Sequence, residues 1–361
     1  MTKYSELLAP FMDAKPLGLD RAHKHRLLLD ALAVLEAHHR ASCAPYARMQ
    51  SALFSESKVR AIEDVPFLPV RLLKELDLRS VEESEVVRVL HSSGTTGQRP
   101  SRVFLDRETA DTQRRALMQS FEPYLPDQRL PMLIIDAQAT IRREAMTARA
   151  AGIVGMMSFG RQHRFALRDD MSIDRETIVE FAANPGAAKL VFGFTFLVWQ
   201  YLVQAFAAGE LDLSGTILIH SGGWKKLEEL AVDDSVFRKT LSAHLGIGQV
   251  HNFYGMVEQV GSVFVQCSAG RLHAPNFSEV IARRPGDWSP CEPGESGLLQ
   301  VISVVPWSYP GHSLLTEDLG AITGQDDCPC GQLGTTFEVH GRVPRAELRG
   351  CSDTFQEVLR A

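Results

Sequence analysis

Residues 86–97 read VVRVLHSSGTTG: a run of branched apolar residues, then a loop of two serines, two threonines and two glycines. The first half has strand composition. In the second half Gly94 and Gly97 allow a tight turn with its N–H groups facing inward, and Ser92, Ser93, Thr95 and Thr96 add hydroxyl donors. Oriented amides and hydroxyls of this kind wrap a polyphosphate. No Gly-Lys-Ser/Thr ends the loop, so it is not a Walker A loop. Arg99 and Arg102 follow at once. The same six residues also suit a polar surface turn, so their meaning depends on what surrounds them.

Outward from this loop the chain alternates between short apolar runs and helical patterns. The runs PMLIIDA (131–137), AGIVGMMSFG (151–160), KLVFGF (189–194), GTILIHSGG (215–223) and QVHNFYG (249–255) are strand candidates. RETADTQRRALMQSF (107–121) and DSVFRKTLSAHL (234–245) have helical spacing. This alternation predicts an α/β fold with a largely parallel sheet and helices on its faces. Residues 1–85 read as a helical N-terminal region. RAHKHRLLLDALAVLEAHHRA (21–41) has apolar residues at helical spacing, and Pro66 and Pro69 break the pattern further on. His23, His25, His38 and His39 there are expected to be solvated. Residues 86–320 form the α/β nucleotide-binding core. Residues 321–361 hold a cysteine knuckle, a hinge-like stretch and a C-terminal tail.

At 361 residues, 45% hydrophobic and 23% charged, the chain is globular rather than disordered. A net charge of -6 makes it a poor general ligand for nucleic acid or anionic membrane. The uncharged stretch 190–208 is read as a strand followed by an apolar helix ending at Gly209, not as a membrane span. The N-terminus has acidic residues and no apolar core segment, so no secretory signal is expected. Six unevenly spaced cysteines do not make a disulfide scaffold and suit a reducing, cytoplasmic setting. Cys328 and Cys330, one residue apart and followed by Gly331, form a candidate metal knuckle, and Cys267 and His273 lie upstream. Four N/S ligands in two pairs fit a closed, structural zinc site.

SSGTTG followed by a proline resembles the phosphate-binding signature of the adenylate-forming enzymes. Other motifs of that superfamily follow in order. Tyr254-Gly255-Met256-Val257-Glu258 resembles its Tyr-Gly-x-Thr-Glu segment, with valine in the threonine position. Gly294 to Leu299 resembles Gly-Glu-x-Gly-Glu-Leu, Thr316-Glu317-Asp318 resembles Thr-Gly-Asp, and Gly341-Arg342 resembles the pair before the hinge. The resemblance implies the large N-terminal domain of these enzymes, with layered α/β sheets. It implies ATP held by Ser92 to Gly97, Tyr254 and Gly255 beside the adenine, Asp318 on the ribose, Arg342 at the hinge and Glu258 on Mg2+. Only 19 residues follow Arg342, so the full mobile C-terminal domain and its catalytic lysine are not expected in this sequence. Gly222 and Gly223, in HSGGWKK (220–226), suit close approach to the nucleotide, and Lys225 is the candidate substitute for the missing lysine. The Cys267, His273, Cys328 and Cys330 set also resembles the zinc ligands of some phenylacetate–CoA ligases.

Within the superfamily the chain resembles the acyl-protein synthetases of bacterial luminescence systems. VPFLPVRLLKE (65–75), HSSGTTGQRPSRVFLDRETAD (91–111), RLPMLIIDA (129–137), HSGGWKK and ELRGCSD (347–353) carry that likeness. It implies that a fatty carboxylic acid is activated as its acyl-adenylate. The acyl group then passes to a cysteine near the C-terminus, here Cys351, and on to an acyl reductase or carrier partner. Arg349 nearby favours the thiolate. Two other readings compete: a shortened acyl- or aryl-CoA or carrier-protein ligase, and a non-catalytic nucleotide-binding subunit.

Overall fold

A computed structural model describes residues 2–54, 58–92, 100–142, 147–224 and 231–343. Three helices open the chain: α1 (Lys3–Met12), α2 (Arg21–Ser42) and α3 (Ala44–Phe54). Thr2 and Asp20 cap the first two, their side-chain oxygens accepting the amides of Ser5 and His23. Around Pro66 and Pro69 the chain forms only a two-residue strand, β1 (Leu68–Pro69), and one helical turn, α4 (Leu72–Glu75). Then come β2 (Val86–His91), β3 (Arg102–Asp106), α5 (Arg107–Phe121), β4 (Leu130–Ala137), α6 (Ala148–Met157), β5 (Gly160–Leu167), α7 (Arg175–Ala182), β6 (Lys189–Phe194), α8 (Thr195–Val198), β7 (Thr216–Ser221), α9 (Asp234–Leu245) and β8 (Gln249–Gly255). Six strands complete the described chain: β9 (Val263–Gln266), β10 (Leu272–His273), β11 (Ser278–Arg283), β12 (Gly297–Ser303), β13 (Ser313–Gln325) and β14 (Thr335–Arg342). Among the described residues no helix is long and apolar enough to cross a membrane.

The chain folds into two compact units. One contains residues 1–120, 255–264 and 273–361, and the other residues 121–254 and 265–272.

In the second unit β5, β4, β6, β7 and β8 lie side by side and all run parallel. Their apolar residues face a buried core of Leu133, Val191, Leu218 and Val250 with Leu241 and Leu245 of α9. A side chain at Gly193 would meet Ile135 and Val198 at 2.8 Å, so glycine permits the close approach of β6, β4 and α8. Two expectations are corrected. GIVGMM belongs to α6, not to a strand: its apolar residues bury Ile153 and Met156 at helical spacing. The helix after β6 is one turn, Thr195–Val198, and then relaxes into a π-turn over Trp199–Val203.

In the first unit the sheet is antiparallel, in the order β11–β12–β13–β14, and β1 pairs parallel to β13. The parallel arrangement therefore covers only part of the chain. Among the described residues β2 pairs only with β3, antiparallel, in a separate two-stranded sheet. The connection, residues 92–101, is too short for a crossover to a parallel neighbour. The N-terminal helices pack Leu28, Leu32 and Leu35 against Phe277, Ile302 and Val304.

Of the N-terminal histidines His23 is exposed, as the sequence suggested, but His25, His38 and His39 are packed against the rest of the unit. His39 is fully buried, bonded to Ser80 Oγ at 2.8 Å and stacked on His312. His38 stacks on Trp307 at 3.8 Å, and His25 bonds Glu279 at 3.0 Å. Lys24, on the same helix, is buried against Glu279 at 3.3 Å. Basic residues on α2 thus face Glu279 of β11 and the rings of Trp307 and His312 in the connection between β12 and β13, a pairing no helical period reveals.

Candidate functional site

The glycine-rich segment joins β2 to β3 along the chain, and these two strands pair antiparallel. Ser92 and Ser101 close its neck: Ser92 N donates to Ser101 O at 3.2 Å, and Ser101 N donates to Ser92 Oγ at 2.9 Å. Below the neck, His91 pairs with Arg102. Arg102 is held by Asp77 in an ion pair. Ser93, Gly94, Thr95, Thr96 and Gly97 lie outside the described residues, as do Arg99, Lys225 and Cys351.

Also in the first unit, Asp318 and Arg342 are cross-strand partners of β13 and β14, with Arg342 Nε 3.3 Å from Asp318 Oδ1. Thr316 Oγ1 accepts the Asp318 amide at 3.1 Å, so the residues of the Thr-x-Asp segment brace one another. Two motifs 24 residues apart are brought together by antiparallel pairing. A cross-strand ion pair with one exposed partner contributes little stability, so its value is positional. Glu258 lies in a buried turn just after Gly255. That turn is pinned by its neighbour: Gln259 Nε2 donates to Val301 O and Gly311 O at 3.0 and 3.1 Å. Val260 N donates to the Tyr309 hydroxyl at 3.2 Å. Burial, with Glu258 nearby, raises the Tyr309 phenol far above its usual range, so it stays protonated.

The second unit carries the Gly222–Gly223 turn at the carboxyl end of β7, and Tyr254 at the carboxyl end of β8. Gly222 has φ +81°, a conformation costly for any other residue. Thr195, at the start of α8, holds the turn by donating its hydroxyl proton to Gly222 O at 2.6 Å. One hydroxyl has one proton, so the 2.9 Å contact to His220 Nδ1 requires the imidazole N–H to donate to Thr195 Oγ1. His220 is therefore the neutral Nδ1–H tautomer, with its ring against Phe237 at 4.7 Å. Burial, then the charge of Arg238, pushes the His220 pKa down to about 3. Neither Thr195 nor the role of His220 was visible in the sequence, although His220 stands in the HSGG block.

Cys267, His273, Cys328 and Cys330 bring four ligand atoms within 4.8 Å of one another. Cys330 Sγ lies 3.4 Å from His273 Nε2 and 3.3 Å from Cys328 Sγ. A tetrahedral zinc site with metal–sulfur bonds of about 2.3 Å has ligand–ligand edges of about 3.8 Å, so this spacing is the right size. Cys267 and His273 flank a tight hairpin turn, in which Cys267 N donates to Arg271 O. Cys328 and Cys330 sit on a turn closed by Gly331, which has φ +80°. Asp326 braces that turn, accepting the amides of Gly334 at 2.7 Å and Arg21 at 2.9 Å. Three of the four ligand residues are buried and the donors are soft, which favours zinc over magnesium or calcium.

The acyl-protein synthetase, LuxE, family profile matches residues 1–360. The chain belongs to this family. It is thereby an enzyme of the ligase class. A long-chain-fatty-acid--luciferin-component ligase of Vibrio harveyi is similar to this acyl-protein synthetase chain, with 22% identity over 311 residues, 84% of this chain and 80% of that protein. The solved structure of a 2-hydroxyisobutyryl-CoA ligase in the postadenylation state gives a TM-score of 0.67 at 16% identity, covering 90% of this chain and 69% of that one. The same ligase in the thioesterification state gives 0.67 at 17% identity, covering 91% and 70%. At such identity the likeness carries the fold alone: this family member has the large-domain fold of adenylate-forming enzymes.

Proposed function

We propose that this acyl-protein synthetase uses ATP to convert a long-chain fatty acid into its acyl-adenylate and then carries the acyl group on Cys351 for delivery to an acyl reductase or carrier protein. The substrate carboxylate attacks the α-phosphorus, the bond to the leaving phosphate breaks and pyrophosphate departs. The Cys351 thiolate then attacks the acyl carbonyl and AMP leaves. Ser92 to Gly97 would hold the phosphates, Asp318 the ribose hydroxyls, and Tyr254 with Gly255 the adenine edge. Gly222 and Gly223 leave room for the nucleotide, Arg342 positions Asp318, and Lys225 supplies a cation near the reacting groups. Glu258 is the carboxylate that would hold Mg2+, a hard ion that neutralises charge on the phosphate oxygens. Cys267, His273, Cys328 and Cys330 would hold zinc in a structural role, since four protein ligands leave no open position.

The reading rests most on Asp318, held by Thr316 and paired in register with Arg342, because this sets a fixed acceptor beside the hinge motif. The name of the Vibrio harveyi relative supports the choice of a long-chain acid. The test is intact-mass analysis after incubation with ATP, Mg2+ and a panel of carboxylic acids. The expected result is one acyl adduct on the wild-type chain and none on Cys351→Ser. A Cys351→Ser protein that still forms an acyl-CoA thioester at the wild-type rate would point instead to a CoA ligase. Absence of acid-dependent pyrophosphate exchange into ATP would leave only a nucleotide-binding subunit.

A further inference from the structure

Arg149 occupies an unusual position in the second unit. It lies in the first turn of α6, where the helix dipole disfavours a cation. Its Nε donates to Asp136 Oδ2 at 2.6 Å. Asp136, only 1% exposed near the carboxyl end of β4, also accepts the Ala137 amide and the Thr140 hydroxyl on Oδ1, each at 2.7 Å. The carboxylate is thus well satisfied, and the ion pair orients the guanidinium through one edge only. Nη2 is shut off from solvent and has no hydrogen-bond partner among the described residues, while the side chain as a whole is 30% exposed and so open to a ligand. Leaving a buried donor of this kind unmatched is costly, and more so for a charged group.

The surroundings point toward the Gly222 turn. The guanidinium carbon stands 5.9 Å from the centre of the Phe194 ring. A side chain at Gly222 would lie 3.6 Å from that ring, and one at Gly152 of α6 would lie 3.9 Å from it. Arg149 is therefore one phenyl ring away from the Gly222–Gly223 turn. Both stand where β4, β6 and β7 end, the edge at which open parallel sheets take their ligands. Arginine is suited to planar oxyanions because its fork offers two parallel N–H groups.

We propose that Arg149 is an oxyanion-binding residue, whose free guanidinium edge receives a carboxylate or phosphate oxygen of the ligand at this sheet end, with Asp136 fixing its orientation. Two groups of the proposed reaction share that chemistry: the carboxylate of the acid substrate and the α-phosphate of the adenylate. The assignment rests on the proposed acid activation, and the test separates the two.

AMP and palmitate serve as separate probes, titrated against the wild type and the double variant Asp136→Asn/Arg149→Gln. The double variant removes both charges together, so it leaves no unpaired buried carboxylate. If Arg149 binds an oxyanion, affinity for one probe falls about tenfold or more. Loss for AMP alone assigns the phosphate, and loss for palmitate alone assigns the carboxylate. Wild-type affinity of the double variant for both probes overturns this proposal while leaving acid activation intact. A wild-type chain that binds neither probe overturns both. Where the double variant fails to fold, arginine-directed modification of the wild type by butanedione gives the same decision by peptide mass spectrometry. Protection of Arg149 by AMP or palmitate supports the assignment, and equal labelling with and without both probes overturns it.

Discussion

Replacing His220 by Asn should flatten the dependence of stability on pH. The amide nitrogen of Asn can occupy the place of Nδ1 and keep the donor to Thr195, but the side chain no longer titrates. In the folded chain the His220 pKa is about 3, against an ordinary value of 6.5. A histidine with a lowered folded pKa binds its proton mainly in the unfolded state. Its contribution is complete above about pH 6.5 and is lost progressively as the pH falls toward 3. Linkage gives about 1.4 kcal/mol per pH unit per proton, so between pH 7 and pH 5 this one group removes about 2 kcal/mol from the wild type. At pH 7, His220→Asn should itself cost about 1–3 kcal/mol through lost packing on Phe237. The two proteins should therefore converge at pH 5. Urea unfolding followed by tryptophan fluorescence at pH 7, 6 and 5 measures the gap. Two other buried histidines, His39 and His251, are depressed by burial in the same sense, but they are common to both proteins and cancel. Parallel curves, with a gap independent of pH, would refute a neutral buried His220 and the hydrogen-bond order drawn through Thr195.

Three further outcomes are expected. Cys330→Ser should lower the zinc content, measured by elemental mass spectrometry, from about one per chain, and a chelator should reduce the Tm of the wild type but not of the variant. Metal-free wild type after growth with added zinc would rule the site out. Glu279→Gln should cost about 3–5 kcal/mol in urea unfolding at pH 7, because Lys24 is left buried without its counter-charge. Burial opposes the Glu279 charge, yet Lys24 and His25 hold its pKa down to about 2, so its contribution is present above pH 4.5 and lost as the pH falls toward 2. Wild-type acid sensitivity below pH 4.5 should accordingly shrink in the variant. Gly320→Ala places a methyl 2.2 Å from the Glu338 carbonyl oxygen. It should cost about 1–3 kcal/mol and weaken ATP binding through the β13–β14 pair that carries Asp318 and Arg342, whereas an unchanged Tm and unchanged ATP affinity would contradict that link.

The sequence by itself determined the local chemistry. Alternating apolar runs and helical patterns set most elements of the parallel sheet, because a strand buried on both faces needs a continuous apolar run. Cys328 and Cys330 around one proline were legible as a pair since the feature is written in a few adjacent residues, whereas Gly94 and Gly97 lie outside the described residues. GIVGMM was misread because a short apolar run satisfies both periods, and only burial of Ile153 and Met156 from a helix decided between them. Tertiary structure alone decided the long-range pairings: Asp318 with Arg342, Asp136 with Arg149, Thr195 with His220, and Lys24 and His25 with Glu279. Each joins side chains whose spacing along the chain follows no local period. A histidine or arginine reads the same in a sequence whether water or protein surrounds it, while its charge and its free hydrogen-bond edge are set by which of the two it meets.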